Sequence, residues 1–237
     1  MMVRCLVLCL FIIGALLPLA ASQWVGVQSN ATIVFAHDNE RQIAQQIGAM
    51  ANEECARLVG PLGLWRITPF PIYAYTSRVE FMRDSGLNPS LMGVSYRPSG
   101  LIRLDVTGTE GPVRAVLAHE LTHTLLAQRL GGNMGSLPDW LNEGIAGFLA
   151  QPVAREDLPG LAHQQHRNGL LTMPAMEKAF ATGVGTDAAY VQSRSMVAWL
   201  EYTHPGALTQ LLDNLVQGKS FPRALEDATG LTPEDWL

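Results

Sequence analysis

The chain has 237 residues, of which 48% are apolar and 16% charged, with a formal net charge of −5. That length suits one ordinary domain or a modest two-lobed one, and this composition does not suit a mostly disordered chain. The acidic balance and the lack of any Lys/Arg cluster argue against a phosphate-backbone partner or a polybasic membrane patch, so no nucleic-acid binding is expected.

Residues 1–22 read as a signal peptide. Arg4 supplies the positive start, Cys5 to Ala20 is apolar apart from Gly14 and Pro18, and Ala20, Ala21 and Ser22 form a small-residue exit. A retained anchor is the alternative, because the run approaches the length that spans a bilayer; Pro18 and the small-residue exit favour cleavage. No second run of that length follows, so no stable membrane insertion is expected after cleavage, and the expected address is periplasmic or extracellular. Cys5 and Cys9 lie in this segment, which leaves Cys55 alone and without an internal disulfide partner. Cys55 sits in NEECARLVG and reads as a small buried residue.

Residues 23–237 carry no repeat, low-complexity tract or charge block and read as a single domain. Ala31 to Ala36 is β-branched and short, like a strand. Asn39 to Leu58 places Ile43, Ile47, Met50, Ala51 and Leu58 close to helical spacing. Ile72 to Thr76 alternates as a strand does, and Val94 to Arg97, the turn Pro98-Ser99-Gly100 and Leu101 to Val106 predict a hairpin. After Gly111 the pattern turns helical, with Pro112 suited to the first position, an apolar face of Val113, Val116, Leu117, Leu121 and Leu125, and a Gly131-Gly132 stop. Further helices are predicted from about Pro138 to Ala150, Asp187 to Tyr202 and Ala207 to Val216, with short pieces at Arg223–Ala228 and Pro233–Trp236. Strands first and helices afterwards predict an α+β fold, a small N-terminal mixed β-sheet packed on a helical region.

The segment His119-Glu120-Leu121-Thr122-His123 carries the chemistry. Side chains four apart lie one turn apart on a helix, so both imidazoles project from one face toward a shared point. Zinc accepts such nitrogens at about 2.0–2.1 Å. Glu120 adjoins the first histidine without needing to bind the ion, which suits a general base acting on a water whose pKa the metal lowers. A catalytic zinc takes three protein ligands and keeps one position open. Glu143, flanked by Trp140, Leu141 and Ile145, offers the third, because a carboxylate in apolar surroundings calls for a cation or strong hydrogen bonds. Asp139 is the rival carboxylate, but its place at a helix start suits a cap. The HQQH stretch with His163 and His166 reads as a solvated loop.

HELTH followed by PDWLNEGIAGF resembles the gluzincin branch of the zinc metallopeptidases, in particular the small bacterial peptidases of the MA-like type. The resemblance implies a zincin-type helical region with one Zn2+ held by His119, His123 and Glu143, and with Glu120 as the base. It further implies that GLIRL is the edge strand of the substrate cleft and that the segment from Ala189 to Leu200 is the following helix. Many gluzincins place an acidic residue four positions after the glutamate ligand to support the first histidine; here that position is Gly147. Tyr190, opening the helix after the zinc helices, is the expected oxyanion donor or else an ordinary core tyrosine, with Tyr202 and His204 as alternatives. The expected activity is zinc-dependent hydrolysis of peptide or protein substrates. Its rivals are a zinc amidase acting on cell-wall peptides and a catalytically silent zinc-binding module.

Overall fold

The computed structural model describes residues 23–86, 91–97, 99–152, 156, 159–160, 163, 166–167 and 169–236. The expected signal peptide and Pro98 of the hairpin turn lie outside them. The fold is α+β, with a five-stranded mixed sheet at the N-terminus followed by helices. The strands are β1 (Trp24–Gln28), β2 (Thr32–His37), β3 (Phe70–Tyr75), β4 (Gly93–Tyr96) and β5 (Leu101–Asp105). Their order is β1-β2-β3-β5-β4; β2, β3 and β5 run parallel, while β1 and β4 close the two sides as antiparallel partners.

Helix α1 (Arg41–Leu58) makes the crossover that a parallel β2–β3 pair requires. Alternation along the strands sends Val34 and Ala36, Ile72 and Ala74, and Ile102 and Leu104 to one fully buried face, which packs against α1 and α3 (Glu110–Leu130). Val113, Leu117, Leu121 and Leu125 form the buried face of α3. Pro112 is its third residue, not its first; this still lies in the first turn, where no intrahelical N–H bond is lost. Short α2 (Arg78–Ser85) is capped by Ser77, whose side chain accepts from Glu80 N–H, and ends at Gly86 with a φ of 66°.

The hairpin forms as expected, yet GLIRL is not the edge. Strand β5 is held between β3 and β4, so the first arm of the hairpin, β4, is the strand exposed along α3.

Helix α4 (Asp139–Ala150) buries Trp140, Leu141, Ile145 and Leu149. Pro138 holds its N-cap position, and Asp139 is an exposed first-turn residue, not a cap. The Trp140 N–H is instead accepted at 3.1 Å by Glu177 of α5 (Met173–Thr182). Helix α6 (Thr186–Thr203) packs on α4 so closely that a Cβ on Gly144 would sit 2.7 Å from the Ser193 carbonyl oxygen. Helices α7 (Ala207–Val216) and α8 (Phe221–Thr229) close the far end, with Leu208, Leu211, Leu212 and Leu215 in the core and an Arg129–Asp213 ion pair tying α3 to α7. No described helix is long and apolar enough to cross a membrane.

Candidate metal centre

His119 and His123 stand one turn apart on α3, and the Gly-rich turn after it returns the chain so that Glu143 on α4 meets them. The Nε2 atoms are 3.0 Å apart, and Glu143 Oε2 lies 3.2 Å from His119 Nε2 and 3.5 Å from His123 Nε2. Ligands at about 2.0–2.1 Å from a tetrahedral zinc are separated by about 3.3 Å, so the three edges match one face of such a polyhedron. Among the described residues this is the one cluster of three such groups converging on a point.

The electrostatics favour a cation there. Burial alone would lower the pKa of His123, but Glu143, Glu120 and Asn142 more than offset it and push it up to about 9. Burial opposes the charge of Glu143 as well, yet the two imidazoles hold its carboxyl well below the usual carboxylate range. Two imidazole nitrogens and a carboxylate therefore share positive charge at their meeting point, either as protons or as a metal ion. Asn142 Oδ1 lies 3.0 Å from His123 Nδ1, an arrangement that places the proton on Nδ1 and leaves the Nε2 lone pair for a metal.

Glu120 is not one of the three converging groups, although its charge acts on His123. Its side chain is buried against β4, and among the described residues it accepts no hydrogen bond. Gly93 on β4 creates its space: a Cβ there would come within 2.6 Å of Val116 Cγ1, 2.9 Å of Glu120 Cγ and 3.2 Å of Glu120 Oε1. Tyr190 lies in the second turn of α6 rather than opening it, with its ring centroid 6.4 Å from that of His119 and 4.9 Å from that of Phe180. Burial, followed by the carboxylates of Glu143 and Glu120, raises the pKa of its hydroxyl, which therefore stays protonated and available as a donor.

These side chains line an open cleft of about 920 Å³ walled by β4, α3, α4 and α6. Met92, Val94, Val116 and Val191 make much of the wall apolar, with Arg97 and Arg194 as its cations. Tyr202 packs on Phe148, His204 bonds Thr203, and neither lines the cleft. His163 and His166 have helical rather than loop backbone, are exposed as expected, and lie outside the cluster, as does Asp139. Among the described residues no acid replaces the one lacking at Gly147 and nothing hydrogen-bonds His119 Nδ1; the stem of Arg194 lies over Gly147 instead. Asn142 has a sequence signal: it is a polar residue directly before the candidate ligand on an otherwise apolar helix. Gly93 has none, because its neighbours come from another element.

A family profile described as the Peptidase MA superfamily matches residues 50–235. The chain belongs to the Peptidase MA superfamily. No curated protein matches it. The Peptidase MA match spans α3, α4 and α6, the helices that carry the triad, Glu120 and Tyr190, and also the edge strand β4. A peptidase fold thus places its candidate donor set on the wall of this cleft.

Proposed function

We propose that this Peptidase MA protein is a zinc-dependent peptidase of the gluzincin type, similar to the small bacterial peptidases, with His119, His123 and Glu143 as ligands. The observation that carries this reading is the set of three ligand-atom separations, which suit a single tetrahedral ion. In such a site zinc acts as a Lewis acid on the scissile carbonyl and lowers the pKa of water. The chain's own groups do the rest. Glu120, buried beside the ligands and free of hydrogen bonds among the described residues, accepts the proton of the attacking water and passes it to the leaving amine. The protonated Tyr190 hydroxyl donates to the oxyanion as it develops. Asn142 fixes the His123 ring in the ligand tautomer. Edge strand β4 offers its free backbone side to an extended peptide lying along the cleft. Residues 1–22 serve as a cleaved export signal and residues 23–237 as one catalytic domain acting in the periplasm or outside the cell.

Purified mature protein is expected to bind one zinc per chain, and His119→Ala or His123→Ala to release it. Elemental analysis decides: full zinc content in both variants would remove the triad from consideration. The silent-module reading is tested by the activity of the zinc-loaded wild type on mixed peptides. The amidase reading predicts cleavage of cell-wall peptides and not of ordinary ones.

A further inference from the structure

Between Asp187 and Glu201 near its two ends, helix α6 carries a single charged residue, Arg194, and that residue faces the cleft. It stands one turn beyond Tyr190 on the same face, just as Gly147 stands one turn beyond Glu143 on α4. The two helices step away from the metal triad together, and the missing side chain at Gly147 makes room for the Arg194 stem. A Cβ on Gly147 would touch the Arg194 Cβ, Cγ and Cδ at 3.5–3.6 Å. Arg194 is half-buried, and among the described residues it carries no salt bridge; its hydrogen bond there is to the neutral Gln151 Oε1 at 3.3 Å. By contrast, Arg57, Arg78, Arg83, Arg114, Arg129 and Arg223 are each paired with a carboxylate. Among the described residues the carboxylates that line the cleft are Glu120 and Glu143, and neither forms a salt bridge with Arg194.

We propose that Arg194 is a specificity residue that binds a substrate carboxylate close to the scissile bond; this rests on the peptidase reading above. A guanidinium in an apolar cleft presents a fork of donors matched to a carboxylate, and charge-assisted bonds of that kind are the strong ones. One helical turn is about 5.4 Å and an extended peptide rises about 3.3 Å per residue, so the recognised group belongs within about two residues of the cleaved bond. Two sources supply it: a free C-terminus, or an Asp or Glu side chain. Arg97 is exposed at the end of β4 and serves as the comparison.

The test uses zinc-loaded Glu120→Gln protein, which holds peptides without turning them over, and three peptides of one neutral sequence. The first has a free C-terminus, the second an amidated one, and the third an amidated one with Glu substituted at each position in turn. Calorimetry is expected to show about 10- to 100-fold tighter binding of one carboxylate form over the neutral amide. Tighter binding of the first identifies the terminal carboxylate; tighter binding of the third identifies an acidic side chain. Adding Arg194→Gln should abolish that preference while leaving affinity for the neutral amide in place, Arg194→Lys should restore part of it, and Arg97→Gln should not change it. Equal affinity for all three peptides, or equal weakening of all three by Arg194→Gln, would overturn the proposal and leave the peptidase reading standing. Carboxylate-selective binding alongside a wild type that cleaves none of the peptides would do the reverse.

Discussion

Gly144 is where the fold and the site are most tightly joined. It follows the proposed ligand Glu143 directly, and a Cβ at this position would lie 2.7 Å from the Ser193 carbonyl oxygen and 2.9 Å from its carbon. Ordinary contact begins at 3.4 Å, so Gly144→Ala requires α4 and α6 to part by about 0.7 Å at that point. The obstacle is backbone, which cannot rotate aside. Overpacking of this kind costs about 1–3 kcal/mol, against about 1 kcal/mol gained from the better helix propensity of Ala, so the net penalty is at most about 2 kcal/mol. For a chain of this size each kcal/mol shifts Tm by about 2–4 °C, which predicts a fall of up to about 8 °C. Tyr190 rides on α6 while Glu143 stays on α4, so the two also separate. A misplacement approaching 1 Å at a reacting group lowers turnover by up to about 100-fold. Thermal unfolding, zinc content and peptide turnover should be measured on the same preparation. An unchanged or raised Tm with intact turnover would refute the claim that this contact sets the spacing of the site.

Three further outcomes follow from the same geometry. Asp105 is buried, and although burial raises its pKa, the Thr107 N–H and hydroxyl and the Arg78 guanidinium at 2.7 Å outweigh it and leave the carboxyl below its usual range. A depressed folded-state pKa stabilises above the unfolded value and is lost as pH falls below about 4, so Asp105→Asn should cost about 1–3 kcal/mol at neutral pH and much less in acid. Denaturant melts at several pH values check this, and a penalty independent of pH would contradict it. Tyr190→Phe should keep zinc and lower kcat by about 100-fold or more with KM little changed, and wild-type kcat in that variant would leave Tyr190 as an exposed wall residue with no part in the chemistry. Removal of zinc should lower Tm if the three proposed ligands clamp α3 to α4; an unchanged Tm after confirmed metal loss would make the site peripheral.

How much of this was legible in the sequence depended on whether a feature is local. His119 and His123 are fixed by spacing within one helix, and Glu143 by an acid among Trp140, Leu141 and Ile145, so the triad is readable without coordinates. The hairpin, and the helices that follow it with clear apolar stripes and Gly stops, are readable for the same reason. Helix α2 has one buried residue, Phe81, and no stripe; its signal is the Ser77-x-x-Glu80 pattern at its start. Strand β1 and helix α5 are short and half-exposed, and periodicity does not reveal them. The edge position of β4 depends on which arm of the hairpin pairs with β3, a choice made by pairing between distant strands. The same holds for the cap that Glu177 gives α4, for the space Gly93 leaves Glu120, and for the pairing of Arg194 with Gly147. Each is a contact between elements far apart in the chain, and no local pattern encodes it.

The central claim assigns different duties to two glutamates, and the response of two variants to added zinc tests it most directly. Glu120→Gln keeps the size of the side chain and removes its basicity, so zinc content should stay near one per chain while turnover falls by at least about 10²- to 10⁴-fold. Glu143→Gln weakens a charged ligand, so zinc content and activity should fall together, and titrating zinc back should restore part of both. Added zinc should do nothing for Glu120→Gln. Metal lost from Glu120→Gln and retained in Glu143→Gln would contradict the account and make Glu120 the ligand.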